Sequence, residues 1–497
     1  MPIGNKKSLQ CTHAHDSKRL FAQSTVAGRP RIVFQSVADQ PMMMETDIGR
    51  PVRQRVGAGK NRCSVIVRFS HRPDSCREFE YNENLSRFIS KLPCLPLKGS
   101  AMSFSSADAQ SLMEITARPP MYFVRGEGSW LTDDTGKRYL DCIQGWAVNC
   151  LGHCPPQLVK ALNDQAATLI NPSPAFFNEP STALAKRLTD ASCFDRVFFT
   201  NSGAEANEGV IKLARKWGQK NKGGAYKIIT FNHSFHGRTL ATMSASGKAG
   251  WDTKFAPQVE GFPKAELNDL ASVKALIDDQ TVAVMLEPVQ GEGGVIPADM
   301  AFMKALRELT RENNMLLIVD EVQTGMGRCG ELFAYQAYGI EPDIMSLGKG
   351  IGSGIPLAAM LAREEVACFE HGDQGGTYNG NPLITAGGVA VFDALTAPGF
   401  MESVRLRSEQ LSQGLLALSE KWGMKGERGM GLLRALILDK DDGPAIVDAA
   451  RDRGPEGMLL NAPRPNLLRF MTALNITEDE VKLMLAWLDE VIAKVRS

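Results

Sequence analysis

Lys349 lies between glycines in the stretch SLGKGIG, at the end of the apolar run DIMSLG. A lysine in a glycine-rich loop can bind a nucleotide phosphate, form a Schiff base with a carbonyl, or simply be solvated. The phosphate-loop pattern fails twice, because Asp343 stands where its first glycine belongs and Gly350 where its magnesium-binding hydroxyl belongs. The alternating glycines also lack the last spacing of a dinucleotide-binding motif. The loop therefore does not support binding of ATP or NAD.

Other side chains capable of chemistry follow other apolar runs. Asp320 ends the run LLIVD, and a carboxylate in such apolar surroundings needs a partner. The run RVFFT leads into Ser202, Gly203 and Ala204, which open a predicted helix. The first N–H groups of that helix offer an anion site, although Ser202 can also serve only as its N-cap. The run KIITF precedes NHSFHGRTL, which contains an aromatic residue, a histidine and an arginine in succession.

These parts together suit pyridoxal phosphate. Its aldehyde needs a lysine amine for a Schiff base, and its phosphate needs N–H donors. Its pyridine nitrogen needs a carboxylate that keeps the ring protonated, because the pyridinium is the electron sink for a substrate carbanion. An aromatic side chain can cover the flat ring. Ligands of doubly wound sheets bind beyond the carboxyl ends of the strands, so we expect all these groups at one edge.

Length and composition exclude several classes of protein. A chain of 497 residues is long enough for roughly two to four domains. Its formal net charge of zero gives no sign of nucleic-acid binding, and no apolar run approaches the roughly 20 residues of a membrane helix. Scattered cysteines without a secretory signal favour a cytoplasmic protein. Cys150, His153 and Cys154 lie close in sequence, but no fourth ligand is evident, so no metal site is predicted.

Residues 1–101 differ from the rest in charge. They contain about 17 lysines and arginines against about 8 acidic residues, with little sustained periodicity. We expect a basic, disordered extension upstream of a natural start at Met102. A basic organelle-targeting presequence and a small accessory module are the alternatives.

The remainder has the pattern of an α/β protein. Residues 102–170 contain a meander of short strands and form the first part of a small domain. Residues 171–395 alternate apolar runs, such as LLIVD, DIMSLG and LAAMLA, with helices, so these runs are predicted as buried parallel strands. They form a large domain with a mainly parallel sheet flanked by helices. Residues 396–497 are α+β and end in a helix with a capping box, Thr477 with Glu480. We expect both chain ends to build one smaller α+β domain.

Six segments carry a resemblance to a known family: NSGAEANEGVIKLAR, FHGRT, EPVQGEGGV, VDEVQTGMGR, SLGKGIG and GGTYNGNPL. Their order and approximate spacing are similar to the motifs of class III pyridoxal-phosphate aminotransferases, and the resemblance covers about residues 110 to 497. It implies the fold-type-I architecture of pyridoxal-phosphate transferases. Within the family, GAEANE, FHGRTL and LLRFMTALNITEDEV resemble the acetylornithine aminotransferases, whereas GGTY is closer to the 4-aminobutyrate aminotransferases.

The resemblance implies cofactor contacts residue by residue. Lys349 forms the internal aldimine and then moves the substrate proton, and Asp320 pairs with the pyridine nitrogen. Gln323 bonds to the cofactor O3′, and Phe235 stacks on the ring. The phosphate is assigned to four residues, the last of them from the neighbouring subunit of a homodimer: Ser202, Gly203, Ala204 and Thr377.

Substrate contacts follow in the same way. Arg238 and Arg469 resemble carboxylate-binding arginines, and guanidinium suits bidentate recognition of a carboxylate. Glu292 resembles the glutamate that pairs with Arg469 when no carboxylate is there. Gly376 lies beside Thr377 and is counted with the substrate-binding residues.

The implied reaction is a ping-pong transfer of a terminal amino group from N-acetylornithine, or a similar ω-amino acid, to 2-oxoglutarate, giving glutamate. Alternatives within the family are 4-aminobutyrate, ornithine or succinyl-diamine aminotransferase and a glutamate-semialdehyde aminomutase. The alternative from a different class is a non-catalytic, regulatory protein that binds pyridoxal phosphate. The presence of both Lys349 and Asp320 argues against it.

Overall fold

The computed structural model describes residues 43–46, 50–53, 64–68, 76–80 and 109–497. The chain divides into two compact units, Met1–Met102 and Ser103–Ser497. The first unit contains two antiparallel strand pairs, Met43–Thr46 with Arg50–Arg53 and Ser64–Arg68 with Cys76–Glu80. The predicted disordered extension lies for the most part outside the described residues and stays a prediction.

A seven-stranded sheet forms the centre of the second unit. Its strands lie in the order Lys264–Ala265, Lys227–Phe231, Thr281–Leu286, Leu316–Glu321, Ile344–Leu347, Ala358–Ala362 and Arg196–Thr200. The first five of these pair in parallel. Helices cover both faces, which is why the central strands are continuous apolar runs.

The strand Leu316–Glu321 shows how the two faces are filled. Leu317 and Val319 pack into the larger hydrophobic core cluster, whereas Leu316 and Ile318 pack into a second cluster on the opposite face. Alternate side chains of a strand point to opposite faces, so a strand buried on both sides needs apolar residues at every position. The first polar positions of this strand come at its end, where the sheet meets its loops.

One strand runs against the others, and the sequence did not show it. The run LAAMLA was predicted as another parallel strand, which is wrong, because Ala358–Ala362 pairs antiparallel with both of its neighbours. The chain between Leu347 and Ala358 contains only the short 3₁₀ turn Lys349–Ile351. A parallel return needs a crossover of about a dozen or more residues, usually a helix, so this short connection forces the strand to reverse.

The helices of the second unit follow the predicted alternation with strands. Their bounds are Gln144–Ala147, Pro156–Ala166, Glu179–Asp190, Gly203–Asn221, Leu240–Ala245, Leu270–Lys274, Met300–Glu312, Ala334–Tyr338, Pro382–Leu395, Phe400–Trp422, Gly443–Arg451 and Glu478–Arg496. The predicted capping box of the last helix is confirmed, since Thr477 and Glu480 exchange side-chain and backbone hydrogen bonds.

The two ends of the second unit meet in a pair of four-stranded sheets. The first has the order Glu456–Leu459, Arg138–Asp141, Trp130–Asp133 and Phe123–Glu127, and the second Glu427–Met430, Leu433–Ile437, Leu467–Phe470 and Asn461–Arg464. The C-terminal strand Glu456–Leu459 pairs in parallel with the N-terminal strand Arg138–Asp141. This is the smaller α+β part expected from both chain ends. The boundaries 102–170, 171–395 and 396–497 stay predictions.

Within the described ranges, no single helix is long and apolar enough to cross a membrane; a bent pair, Pro382–Leu395 with Phe400–Trp422, passes that test only when the two are taken together. The same residues contain no group of three or more side chains placed to hold a metal ion. His153 of the NCLGHC stretch instead lies 2.9 Å from Asp141.

Candidate active site

Asp320 lies at the carboxyl end of its strand and is 3% exposed. Its Oδ2 accepts a hydrogen bond from Asn207 Nδ2 at 2.8 Å and lies 2.7 Å from His236 Nδ1. Its Oδ1 accepts hydrogen bonds from the backbone N–H of Val322 at 3.0 Å and from Ser346 Oγ at 3.3 Å. Both carboxylate oxygens are therefore held, and the group keeps one orientation at the edge of the sheet.

Val322 brings three of the predicted motifs together. A Cβ added to Gly203 would lie 2.6 Å from Val322 Cγ1, and one added to Gly348 would lie 3.0 Å from the same atom and 3.4 Å from the Cα of Gly203. Glycine is needed at both positions because two backbones and one side chain meet there. The helix start, the strand end with Asp320 and the lysine loop are therefore neighbours, as the sequence predicted.

The start of the helix Gly203–Asn221 is arranged as an anion site. Ser202 is its N-cap, and its side chain accepts a hydrogen bond from the backbone N–H of Glu205 at 3.3 Å. The first N–H groups of a helix have no acceptor within that helix, and the helix dipole adds partial positive charge. A Cβ added to Gly237 would lie 2.9 Å from Ala204 Cβ, so the FHGR loop borders this turn.

Lys349 opens the 3₁₀ turn with a φ of 46°, in the left-handed region that residues other than glycine rarely adopt. Two contacts from one segment hold the turn. Cys150 Sγ donates to the carbonyl of Gly350 at 3.1 Å, and the backbone N–H of Leu151 donates to Ser353 Oγ at 3.1 Å. Desolvation lowers the pKa of the Lys349 amine, and the nearby charge of Arg469 lowers it further. A larger share of neutral amine is therefore present at neutral pH than in a free lysine.

The FHGR loop is fixed by Glu287, which follows the strand Thr281–Leu286 directly. Glu287 Oε1 accepts a hydrogen bond from the backbone N–H of Phe235 at 2.9 Å. The ring of Phe235 packs edge-on against Trp251, with centroids 5.7 Å apart. Arg238, three residues later, is exposed at the surface of the same loop. The predicted ring-stacking and carboxylate-binding residues are thus held on one short segment.

Glu292 and Arg469 form an ion pair, with Arg469 Nη2 2.9 Å from Glu292 Oε1. Arg469 is 1% exposed, and its Nη1 and Nε also donate to Gly291 O at 2.8 Å and to Asn461 Oδ1 at 2.9 Å. Burial opposes ionisation of Glu292, yet the Arg469 charge leaves the pKa of that carboxyl lowered overall. Gln323 lies against the same turn, since a Cβ on Gly291 would be 1.6 Å from Gln323 Oε1.

Thr377 and Gly376 lie apart from this cluster, on the surface. Both are exposed, and the contact found for Thr377 in residues 109–497 is its carbonyl, which accepts from Asn171 Nδ2 at 3.5 Å. The turn is tied to the helix start through Asn379, whose Oδ1 accepts from Asn201 Nδ2 at 2.8 Å. An exposed threonine hydroxyl in such a turn is free to contact a second chain.

Three residues of the site were present in the quoted motifs but received no role from the sequence: Asn207, His236 and Glu287. Asn207 lies in GAEANE, one helical turn after the cradle, and His236 lies in FHGR. Both contact Asp320, and each keeps one buried polar atom without a partner, namely Asn207 Oδ1 and His236 Nε2. The sequence did contain a signal for them, since they are polar residues at positions that the helix and strand periodicity predicts to be buried. Buried polar groups need hydrogen-bond partners, which marks such residues as part of a site.

A family model for class III aminotransferases matches residues 113–492. The chain belongs to the class III aminotransferases. Among curated relatives of this aminotransferase, acetylornithine aminotransferase 2 of Bordetella pertussis is 72% identical over 395 residues, which is 80% of this chain and 100% of that protein. Acetylornithine aminotransferase of Ralstonia nicotianae is 66% identical, covering 78% of this chain and 98% of the relative.

Solved structures agree with this assignment. The N-acetylornithine aminotransferase of Stenotrophomonas maltophilia is 37% identical with a TM-score of 0.67, covering 77% of this chain and 98% of that one. The ornithine aminotransferase of Toxoplasma gondii is 31% identical with a TM-score of 0.75, covering 84% and 99%. The class III aminotransferase therefore has the predicted fold-type-I architecture and is a pyridoxal-phosphate-dependent enzyme.

The residues present fit this cofactor. The carboxylate of Asp320, the amine of Lys349 and the N–H groups of the helix start supply a partner for a ring nitrogen, for an aldehyde and for a phosphate. His236 Nδ1 and Asn207 Nδ2 hold the Asp320 carboxylate in place, and each of these two side chains keeps one buried polar atom without a partner. Among the described residues, no lysine or arginine forms an ion pair with Asp320.

Glu287 gives the site a pH-dependent stability. Burial, with a smaller contribution from Asp320, raises the pKa of Glu287 to about 8. This value lies above that of the unfolded chain, so the proton on Glu287 stabilises the folded state fully at low pH, and that stabilisation is lost as the pH rises through about 8. We expect Glu287 to contribute a fall of a few kcal/mol to the free energy of unfolding of the cofactor-free protein between about pH 5 and pH 9.

Glu287→Gln, which stays neutral throughout, should lose this fall. Denaturant unfolding of both proteins at several pH values measures it. Glu260→Gln serves as the control, because that glutamate is exposed and should leave the pH profile of the wild type intact. An identical profile for Glu287→Gln and the wild type would contradict the assignment.

Proposed function

We propose that this aminotransferase moves the terminal amino group of N-acetylornithine, or of a similar ω-amino acid, to 2-oxoglutarate, giving the semialdehyde and glutamate. The observation that carries the proposal is the pairing of charges in the pocket. Arg469 is neutralised by Glu292 at 2.9 Å, whereas Arg238 is exposed on the FHGR loop. With Glu292 paired to Arg469, the pocket accepts a substrate whose reacting end is neutral. After Glu292 moves away, Arg469 can bind a substrate that has a carboxylate beside its amino group. The names of the relatives from Bordetella and Ralstonia support this choice.

Each residue has a proposed part in the transfer. The cofactor, when bound, supplies the electron sink that makes the proton on the amine-bearing carbon acidic. Asp320 would keep a positive charge on the ring nitrogen, and the helix start at Ser202, with Thr377 of the neighbouring subunit, would bind the phosphate. Phe235 would cover the ring, and Gln323 would bond to its O3′. Lys349 would take the proton from the amine-bearing carbon of the substrate and deliver it to the carbon that carried the cofactor's aldehyde.

A panel of amino donors with 2-oxoglutarate tests the substrate. N-acetylornithine should give the highest kcat/KM, above ornithine, succinylornithine and 4-aminobutyrate. A higher value for 4-aminobutyrate would instead agree with the GGTY stretch and would overturn the proposal. No turnover of any donor by protein with bound cofactor would favour the regulatory alternative.

Glu292→Ala tests the paired charges. Removing Glu292 leaves Arg469 open to a carboxylate at all times, so glutamate should gain relative to N-acetylornithine. We expect the ratio of kcat/KM for N-acetylornithine to that for glutamate to fall about tenfold, which corresponds to about 1.4 kcal/mol. Glu427→Ala is the matched control, because Glu427 pairs with Arg434 at 3.2 Å in the C-terminal sheet. An unchanged ratio in Glu292→Ala would refute the paired-charge role.

We also propose a cytoplasmic homodimer with shared active sites. Phe176, Phe177 and Tyr378 are 67%, 96% and 63% exposed. Asn178 Nδ2 donates to Gly380 O at 3.0 Å, so the two segments that carry these side chains adjoin on one surface. Exposed apolar patches of this kind mark protein interfaces, and Thr377 lies within this one.

Phe177→Asp should place a charge in the interface. We expect it to lower the molar mass in solution from that of a dimer to that of one chain, and activity should fall with it. Sedimentation measured alongside activity checks both. A wild-type protein that sediments as a single chain with full activity would contradict the shared site.

A further inference from the structure

Trp251 is buried, with 8% of its surface exposed. Its indole contacts three side chains, two from the FHGR loop and one from the segment that follows it. The ring of Phe235 meets it edge-on with centroids 5.7 Å apart. The guanidinium of Arg238 lies 6.0 Å from the indole centroid, and the ammonium of Lys248 lies 5.4 Å from it. One aromatic ring thus contacts a residue proposed for the cofactor and a residue proposed for the substrate.

The guanidinium of Arg238 is held by an aromatic ring. Within residues 109–497, Arg238 forms no ion pair and no side-chain hydrogen bond, and its contact with Trp251 is the interaction found for its guanidinium. A carboxylate partner would neutralise Arg238 and occupy its N–H groups. An indole face attracts a cation through its quadrupole and leaves both the charge and the N–H donors available to a ligand.

Lys248 adds a second positive charge to the same place. Its charge reaches the Glu292–Arg469 pair, because Lys248 is one of the groups that lower the pKa of Glu292. Two cations therefore share one indole, and the charge of one of them also acts on that pair. A negatively charged group on a substrate, remote from the reacting amine, fits this arrangement.

We propose that Trp251 is a positioning residue that holds Arg238, with Lys248 on the same indole, for the carboxylate at the end of the substrate remote from the reacting amine. This inference rests on the proposed function, which assigns Arg238 to that carboxylate, and adds the residue that orients Arg238. Because Phe235 contacts the same indole, Trp251 would also tie Arg238 to the side chain proposed to cover the cofactor ring.

The test compares substrates that differ only in the remote carboxylate. N-acetylputrescine is N-acetylornithine without it, and 2-aminobutyrate has the reacting end of glutamate without the remote carboxylate. For each pair, we take the kcat/KM of the carboxylate-bearing substrate divided by that of the substrate without it. In Trp251→Leu this ratio should fall about tenfold, mainly because KM of the carboxylate-bearing substrate rises. Trp251→Phe keeps an aromatic face and should restore part of the ratio.

Trp217→Leu is the control, since Trp217 packs against the second core cluster on the helix Gly203–Asn221. It should leave both ratios unchanged. If Trp251→Leu does not fold, Trp251→Phe carries the test through a smaller fall of the same ratios. Equal losses for both members of each pair would show a merely structural role and overturn the proposal. The glutamate pair remains informative even if N-acetylornithine proves not to be the donor.

Discussion

Lys349→Ala should abolish transamination. We expect kcat to fall by about 10⁴-fold or more, because general acid–base catalysis alone typically contributes 10²–10⁴ and the same amine also holds the cofactor. The variant should still bind the cofactor through the helix start at Ser202 and through Asp320. Its bound cofactor should therefore remain visible by absorbance while turnover of every amino donor is lost.

The loss should not come from unfolding. Burial lowers the pKa of Lys349 in the folded protein. Between this lowered pKa and the ordinary pKa of lysine, the unfolded chain therefore binds the proton more tightly than the folded chain. The sign follows from linkage: a lysine with a lowered folded pKa destabilises the fold at neutral pH, and that penalty disappears as the pH rises. Cofactor-free Lys349→Met should therefore unfold at the same temperature as the wild type or at a higher one.

Two measurements decide between catalysis and stability. Thermal unfolding of the cofactor-free wild type, Lys349→Ala and Lys349→Met tests the stability, and turnover of N-acetylornithine and of glutamate tests the chemistry. Lys254→Ala is the control for replacing a lysine as such, because Lys254 is exposed, and it should keep full activity. Substantial turnover by Lys349→Ala would refute the role of Lys349 as the proton carrier.

The proximity of the proposed catalytic groups could be predicted from sequence because each follows an apolar run that ends at the same edge. Asp320 and Ser346 are directly paired across neighbouring strands, and Lys349 follows three residues later. Parallel strands have their carboxyl ends at the same edge of the sheet. Residues that follow successive apolar runs can therefore be predicted to lie near one another. The antiparallel strand Ala358–Ala362 escaped the same reading because its composition does not depend on its direction.

The contacts behind the catalytic groups could not be predicted. Asn207 and His236 are 113 and 84 residues from Asp320 in sequence, and only the packing of a helix and a loop on the sheet brings them to its carboxylate. Trp251 is a comparable case, since nothing in its surrounding sequence shows that three side chains share its ring. Residue type and strand order identify groups that react, whereas the residues that orient them depend on the packed structure.

Asp320→Asn should give the second-largest loss, and it separates charge from shape. Asparagine keeps the size of the side chain, and its one oxygen can still accept the hydrogen bond from the Val322 N–H. It removes the negative charge that holds a proton on a ring nitrogen, and its NH2 group replaces the oxygen that accepts from Asn207. Loss of one partner of a buried charge pair costs about 3–5 kcal/mol, so we expect kcat to fall by about 10²–10⁴-fold.

A change in the cofactor should reverse part of this loss. A pyridoxal phosphate analogue methylated on its ring nitrogen is permanently positive, so it does not need a carboxylate to stay charged. We expect this analogue to raise the activity of Asp320→Asn and not that of the wild type. Measured kcat values for both proteins with both cofactors test the charge directly, and no gain for the variant would contradict the role of Asp320.

Asp343→Asn provides the matched control for a buried aspartate. Asp343 is 7% exposed, and its carboxylate pairs with Arg307 at 2.6 Å and 2.8 Å, away from the strand ends that carry the site. Breaking that pair leaves Arg307 buried without its partner, so Asp343→Asn should lower the unfolding temperature while the folded enzyme keeps its kcat. Asp320→Asn should show the opposite pattern, because no lysine or arginine of residues 109–497 pairs with Asp320 and its charge is proposed to act on the cofactor.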